Sequence, residues 1–232
     1  MTSFSPRRVL VTGGCGFLGT HFVRLLLDRR PAVEAVNLDA LTYAGNPDNL
    51  IDLRDEPRYR FVHGDVRDGP LLQRLLEECD AVVHFAAESH VDRSLGGATA
   101  FVDTNVLGTQ ILLDAARRAW SAGRDGRPPF RGRFLHVSTD EVFGSLPLEP
   151  PDLAFDESSP YAPNSPYAAS KAASDMLVRA CHRTFGLDTI TTHGSNSFGP
   201  YQFPEKLIPR FVTSLLEGRT LPLYGDGRHV RD

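Results

Sequence analysis

Val9-Leu10-Val11-Thr12-Gly13-Gly14-Cys15-Gly16-Phe17-Leu18-Gly19 joins an apolar run of strand character to an amphipathic stretch through a turn with glycines at 13, 16 and 19. A strand that ends in such a turn and resumes as a helix opens a βαβ unit, and it commits the chain to a parallel sheet, because parallel neighbours need a long crossover. The rest of the chain keeps that rhythm. Strands are expected over residues 8–12, 33–38, 60–63, 81–85, 133–137 and 189–192. Helices are expected from about residue 17 and over 71–78, 101–120 and 166–185, the last stopped by Gly186. This alternation implies an α/β fold, a mostly parallel, doubly wound sheet covered on both faces. After about Gly194 the pieces shorten, with a helix expected over 204–217 and a short strand near 221–224.

The glycine turn also carries chemistry. Backbone without side chains can approach a pyrophosphate, and a helix N-terminus offers free N–H groups and a favourable dipole to its charge. Gly13, Gly16, Phe17, Leu18 and Gly19 are therefore candidate dinucleotide contacts. Asp39 ends the next strand about twenty residues on, where a carboxylate accepts hydrogen bonds from ribose hydroxyls and would repel an added phosphate, which favours NAD over NADP. Residues 1–193 are read as a Rossmann NAD-binding domain and 194–232 as the start of a smaller lobe. The segments 121–132 and 147–166 are read as irregular, the second long enough to be a binding segment.

Composition narrows the function classes. With 232 residues, 41% hydrophobic content and a formal charge of −4, the chain has material for one sizeable core and shows no bias toward nucleic acid. No run approaches the roughly 20 apolar residues of a spanning helix, and residues 1–8 do not form a secretory signal. Three scattered cysteines suit neither a disulfide framework nor a zinc site, so no metal is expected and a reduced cytoplasmic setting is. The chain has two lysines, Lys171 and Lys206, against many arginines. An ammonium is a compact donor whose pKa moves, whereas guanidinium stays charged.

Ser138-Thr139-Asp140-Glu141 follows the strand over 133–137 and sets two carboxyls at its carboxyl end, the edge that borders the ligand crevice in open parallel sheets. Two crowded carboxyls resist ionising together, which suits one to give a proton and the other to take one. Tyr167-Ala168-Ala169-Ser170-Lys171 places a phenol and an ammonium four residues apart near a helix start, on one face. The nearby ammonium is expected to lower the Tyr167 pKa and fit the phenol for use as a base.

With these pieces the chain resembles the extended short-chain dehydrogenase/reductase family and, within it, the dTDP-glucose 4,6-dehydratases. The resemblance rests on residues 38–46, the His84-Phe85-Ala86-Ala87-Glu88-Ser89-His90-Val91-Asp92-Arg93-Ser94 run, residues 138–144 and 165–172, and Gln202-Phe203-Pro204-Glu205-Lys206-Leu207-Ile208-Pro209. It implies a redox-neutral dehydration of dTDP-glucose to a 4-keto-6-deoxy sugar with NAD retained. Tyr167, with Lys171, takes the 4-hydroxyl proton as C4 is oxidised. Thr139 bonds the 4-oxygen, Glu141 takes the C5 proton, and Asp140 protonates the departing C6 hydroxyl. The resemblance also implies cofactor contacts from Leu41, Thr42, Asp65, Val66, Phe85, Ala86, Ala87, Ser89, Thr104, Tyr167, Lys171 and Ser197. Substrate contacts are implied for Ser89, Asn196, Lys206, Leu207, Pro222, Tyr224 and Arg231. A homodimer through the helices over 101–120 and 166–185 is implied as well, while His90 and His193 are left without a catalytic step.

Three positions depart from that pattern. Phe143 and Phe198 stand where the family usually has tyrosine, and Ser197 stands where it has asparagine. Similar enzymes continue for roughly a hundred residues past position 232, so the chain is expected to hold part of the substrate lobe. A nucleotide-sugar 4-epimerase or decarboxylase would share the glycine turn and the Tyr-Lys pair but would not need Asp140 and Glu141. A non-catalytic nucleotide-sugar-binding protein would need none of the proton-handling groups.

Overall fold

The computed structural model describes residues 4–121, 130–148, 153–223 and 225–228. Six parallel strands, β1 (Arg8–Thr12), β2 (Glu34–Asp39), β3 (Tyr59–His63), β4 (Ala81–His84), β5 (Arg133–Thr139) and β6 (Asp188–Gly194), form one sheet in the order β3-β2-β1-β4-β5-β6. The order reverses between β1 and β4. Connections diverge to opposite sides there and leave a crevice at the carboxyl ends of those strands.

Alternation along each strand feeds two cores. Leu10, Val36, Leu38, Val82 and Phe134 point toward α2 (Gly69–Glu78), α5 (Thr109–Trp120) and α6 (Pro166–Phe185), where Leu72, Leu76, Leu112, Leu113 and Val178 meet them. Val9, Val11, Ala35 and Val83 point the other way, onto Val23 and Leu27 of α1 (Phe17–Arg29). Each large aliphatic side chain removed from water here contributes roughly 1.5–3 kcal/mol. Trp120 is wholly buried and its indole N–H donates to the Cys79 carbonyl at 2.7 Å, so its one polar atom is satisfied.

The helices that present the site have identifiable ends. α6 starts where Ser165 Oγ accepts from the Ala168 N–H at 3.1 Å with Pro166 in its first turn, and it stops at Gly186, whose φ of +78° is the left-handed conformation glycine adopts freely. The segment expected as one helix over 101–120 begins two residues earlier. α4 (Thr99–Phe101), a π-helical stretch (Val102–Gly108) and α5 run on without a break, preceded by the short α3 (Val91–Gly96).

Two expectations are corrected beyond β6. The helix there is shorter than 204–217: α7 spans Leu207–Leu216. Pro209 lacks an N–H and is tolerated within a first turn, which sets the start close before it. Residues 221–223 form no strand, because none of the six strands lies beside them to complete a ladder. Tyr224 and Arg231, like residues 122–129 and 149–152 of the two irregular segments, lie outside the described residues.

Candidate active site

At the carboxyl edge, the β1–α1 turn is built for close approach. Gly13 has φ +73°, and a Cβ there would lie 2.7 Å from Ala86 N; one at Gly19 would strike the Gly13 carbonyl. Gly16 caps α1 with no side-chain hydrogen bond, so the first-turn N–H groups of Phe17, Leu18 and Gly19 face the crevice without a built-in anion. Asp39 is buried at the end of β2 and accepts from Cys15 N at 2.9 Å and Leu41 N at 2.8 Å. Burial pushes its carboxyl up, against those two hydrogen bonds. A carboxylate has about four acceptor sites, which leaves capacity for hydroxyls. Leu41 holds φ +50°, and Thr42 follows it in a tight turn to Gly45.

The other expected cofactor contacts line the same edge. Asp65 and buried Val66 follow β3, with Asp65 paired to Arg67. Phe85, Ala86, Ala87 and Ser89 follow β4, where Ala86 N donates to Thr12 Oγ1 at 3.3 Å. Thr104 lies on the π-helical stretch, whose Asn105 exchanges hydrogen bonds with the Glu88 N–H and C=O at 2.8 and 3.0 Å. Glycines whose missing side chains make room, an uncapped helix start and a ribose-type carboxylate together fit a dinucleotide.

The acid/base groups converge beside it. β5 ends in Thr139, which caps the 3-10 turn Asp140–Phe143 by accepting from Glu141 N at 3.3 Å and donates to Asp140 Oδ1 at 3.1 Å. The Tyr167 phenol stands near Thr139, whose hydroxyl favours the phenolate. Asp140 is 5% exposed and Glu141 is half-buried, so the two carboxyls stand in unequal surroundings.

One expectation fails here. The Tyr167 pKa is not lowered: burial first, then the Glu141 charge, push it well above the ordinary phenol value, and the Thr139 hydroxyl only partly offsets them. The Lys171 ammonium is itself buried, donates to the Val137 carbonyl at 2.8 Å, and is pushed down to about 8 by burial, with Asp175 opposing. Four-residue spacing put the two groups on one face of α6, but the strand end, not the phenol, takes the ammonium's hydrogen bond.

Lys206 is brought in from outside the sheet. Its Nζ donates to the Ser89 carbonyl at 2.9 Å, burial pushes its pKa down, and the Glu205 and Glu141 charges oppose that. The segment is clamped by residues the sequence reading gave no role. The Arg93 guanidinium lies 3.9 Å from the centre of the Tyr43 ring, Tyr43 packs edge-on against Phe203, and Arg93 Nε stands 3.5 Å from Glu205. Asn196, Ser197, Leu207 and Pro222 are exposed or half-buried beyond β6 and stand outside this buried cluster. Of the three departures, Phe143 is buried against Phe155, Tyr161 and His193, while Ser197 and Phe198 are exposed. Among the described residues no His, Cys, Asp and Glu group has the arrangement of a metal site, and no helix is long and apolar enough to cross a membrane.

Residues 10–232 match the family model described as GDP-mannose 4,6 dehydratase. The chain belongs to that family. Among relatives of this dehydratase family, the dTDP-glucose 4,6-dehydratase of Xanthomonas campestris is 56% identical over 225 residues, which cover 96% of this chain and 62% of that protein. The solved dTDP-glucose 4,6-dehydratase of Streptomyces venezuelae, with NAD and TYD bound, superposes with a TM-score of 0.88 at 58% identity, covering 97% of this chain and 67% of that one. A UDP-glucuronic acid 4-epimerase of Bacillus cereus, solved with UDP-glucuronic acid and NAD, reaches a TM-score of 0.83 at 28% identity, covering 95% of this chain and 66% of that one. The chain thus spans 62% of the length of the Xanthomonas relative.

Proposed function

We propose that this dehydratase-family chain forms the NAD-binding and acid/base part of a dTDP-glucose 4,6-dehydratase. The observation that carries the reading is the gathering of Tyr167, Thr139 and Asp140 at the carboxyl end of β5, with Thr139 Oγ1 bonded to Asp140, beside half-buried Glu141. An epimerase has no water to remove and no use for the two carboxyls. The first-turn N–H groups of α1 would hold the NAD pyrophosphate, and Asp39 the adenosine ribose. Bound NAD supplies a hydride acceptor for C4 of the sugar and later a donor to C6.

Around that exchange the chain's own residues move protons. Thr139 orients the sugar 4-hydroxyl against Tyr167, which takes its proton in the phenolate form, a form that the positive charge of bound nicotinamide would favour, as C4 becomes a ketone. The ketone acidifies the C5 hydrogen, and Glu141 takes it. Asp140 gives a proton to the C6 oxygen so that water leaves. Lys206, at the mouth between Ser89 and Glu141, would meet the diphosphate end of the substrate with its charge. Asn196, Leu207, Pro222, Tyr224 and Arg231 would complete that end.

We also read residues 1–193 as the cofactor domain and 194–232 as the beginning of the substrate lobe. A cytoplasmic setting is supported by three buried, unpaired cysteines. A homodimer is supported by Val102, Leu107 and Met176, which are apolar and exposed on the long helices.

Incubation with dTDP-glucose and NAD, followed by mass analysis, tests the reading. A product lighter by one water, with the alkaline absorbance of a 4-keto sugar, is expected. A product of unchanged mass with inverted C4 would replace it with an epimerase. NAD-loaded protein that binds dTDP-glucose and leaves it intact would replace it with a binding protein.

A further inference from the structure

No step of the chemistry above uses Asp175, yet this carboxylate is 2% exposed in the middle of α6 and ringed by donors. Ser138 Oγ on β5 donates to its Oδ2 at 2.9 Å, the Tyr161 hydroxyl donates to the same oxygen at 3.2 Å, and His193 Nε2 on β6 lies 3.1 Å from it. His136 Nε2 on β5, wholly buried, stands 3.1 Å from Oδ1, off the alignment of a full hydrogen bond. Burial pushes the Asp175 carboxyl up, but the contacts from His136, His193 and Ser138 outweigh it and hold the group well below the usual carboxylate range. A charge is thus kept in a place where desolvating one costs several kcal/mol.

What Asp175 faces explains the charge. Tyr167, Lys171 and Asp175 recur at four-residue intervals and so share one side of α6. Lys171 is 4% exposed, and its Nζ donates to the Val137 carbonyl. The other titratable groups that act on this buried ammonium are His84 on β4 and His136 on β5. Burial drives the first well below 6.5 and the second to about 4, so both are neutral at neutral pH. Tyr167 on α6 is a neutral phenol. Asp175 is the anion that opposes the ammonium's desolvation.

We propose that Asp175 is a positioning residue that serves as the counter-ion of Lys171 and, through Ser138, fixes the strand end that carries Thr139 and Asp140. The proposal rests on the dehydratase reading for the use made of Lys171 and Thr139. Its electrostatic half stands without that reading.

The test uses the two lysines of the chain. Lysine labelled with carbon-13 at Cε gives two side-chain signals, assigned with Lys206→Arg. In the unmodified chain Lys171 is expected to titrate near 8. In Asp175→Asn its midpoint should fall by about one pH unit or more, the scale of a nearby opposite charge, with Lys206 unmoved. Asp175→Glu should return the midpoint toward its original value. Far-UV circular dichroism checks the fold, and Asp175→Ser, with room for a water, is the second variant if asparagine unfolds the chain. A Lys171 midpoint equal in all folded variants overturns the counter-ion role. With dTDP-glucose, Asp175→Asn should lower kcat about tenfold or more with KM nearly unchanged and move the alkaline limb of kcat/KM toward acid. A moved Lys171 signal without dehydration would sink the dehydratase reading and leave the counter-ion standing. Dehydration with an unmoved signal would do the reverse.

Discussion

Gly13→Ala is the sharpest test of how the glycine turn is built. At φ +73° an alanine occupies the left-handed region, which costs roughly 1–2 kcal/mol for an L-residue. Its methyl would also lie 2.7 Å from Ala86 N, 2.8 Å from Ala86 Cα and 3.1 Å from the Phe85 carbonyl carbon, well inside the 3.4 Å where ordinary contact begins. These are backbone atoms of the segment after β4, which cannot rotate away as a side chain could, and overpacking of this kind costs about 1–3 kcal/mol. The two terms together predict a loss of about 2–5 kcal/mol, or about 4–20 °C in Tm for a chain of this size. Gly186→Ala separates them. Its φ is +78° with nothing within 4 Å of a new Cβ, so only the backbone term applies. Thermal unfolding followed by circular dichroism, with and without NAD, measures both variants. Gly13→Ala should lose more stability than Gly186→Ala and should lose the NAD-induced rise in Tm, which Gly186→Ala keeps. If the two lose equally and both still respond to NAD, the close approach of Gly13 to Ala86 is not what the turn is for.

Other outcomes follow from the same structure. Lowering pH from about 7.5 to 5 should destabilise the chain, because the buried His136 titrates at about 4 when folded and near 6.5 when unfolded, so the unfolded state binds the extra proton. That window corresponds to about 2 kcal/mol, seen as a lower urea midpoint, and equal midpoints at the two pH values would contradict it. Trp120→Phe removes the donor to the Cys79 carbonyl within a closed core and should cost about 1–3 kcal/mol in chemical denaturation. Tyr167→Phe should lower kcat about 10²–10⁴-fold while NAD binding, measured by fluorescence titration, stays within a few-fold. Asp140→Asn should let C4 oxidation proceed and block water loss, so reduced-nicotinamide absorbance accumulates in single turnover; immediate formation of the dehydrated product at the normal rate would remove Asp140 from the scheme.

The fold was legible because its signals are local. Strand, glycine turn and helix are contiguous at residues 8–29, and the cap at Ser165 and stop at Gly186 bracket α6 to the residue. Segments past β6 were less legible for the opposite reason. A strand over 221–224 is a statement about a neighbour, and an apolar run carries no information about whether one is there. The helix start was misplaced at 204 although Pro209 was visible, since a proline tolerated in a first turn limits where a helix begins more tightly than apolar spacing does.

The site divides along the same line. Its residue types were readable: Thr139, Asp140, Glu141, Tyr167 and Lys171 converge where the strand ends gather them. Their ionisation was not. A charge pair inferred from i, i+4 spacing assumes that both groups face a common medium, whereas in the chain Tyr167 and Lys171 are each desolvated and burial is the largest influence on both. Desolvation disfavours the charged form of either one, so it raises a phenol and lowers an ammonium, and it widens the gap in which neither is an ion. The residue that counteracts this on the lysine side is Asp175, one more turn along the same face. Its role is invisible in sequence because it depends on His136, His193 and Ser138 arriving from two different strands. The 167, 171, 175 spacing is nevertheless plain in the sequence. A phenol, an ammonium and a carboxylate repeated every four residues on a helix that packs its face against a sheet cannot all point to water, and that is the pattern by which a buried counter-ion of this kind can be sought in other chains.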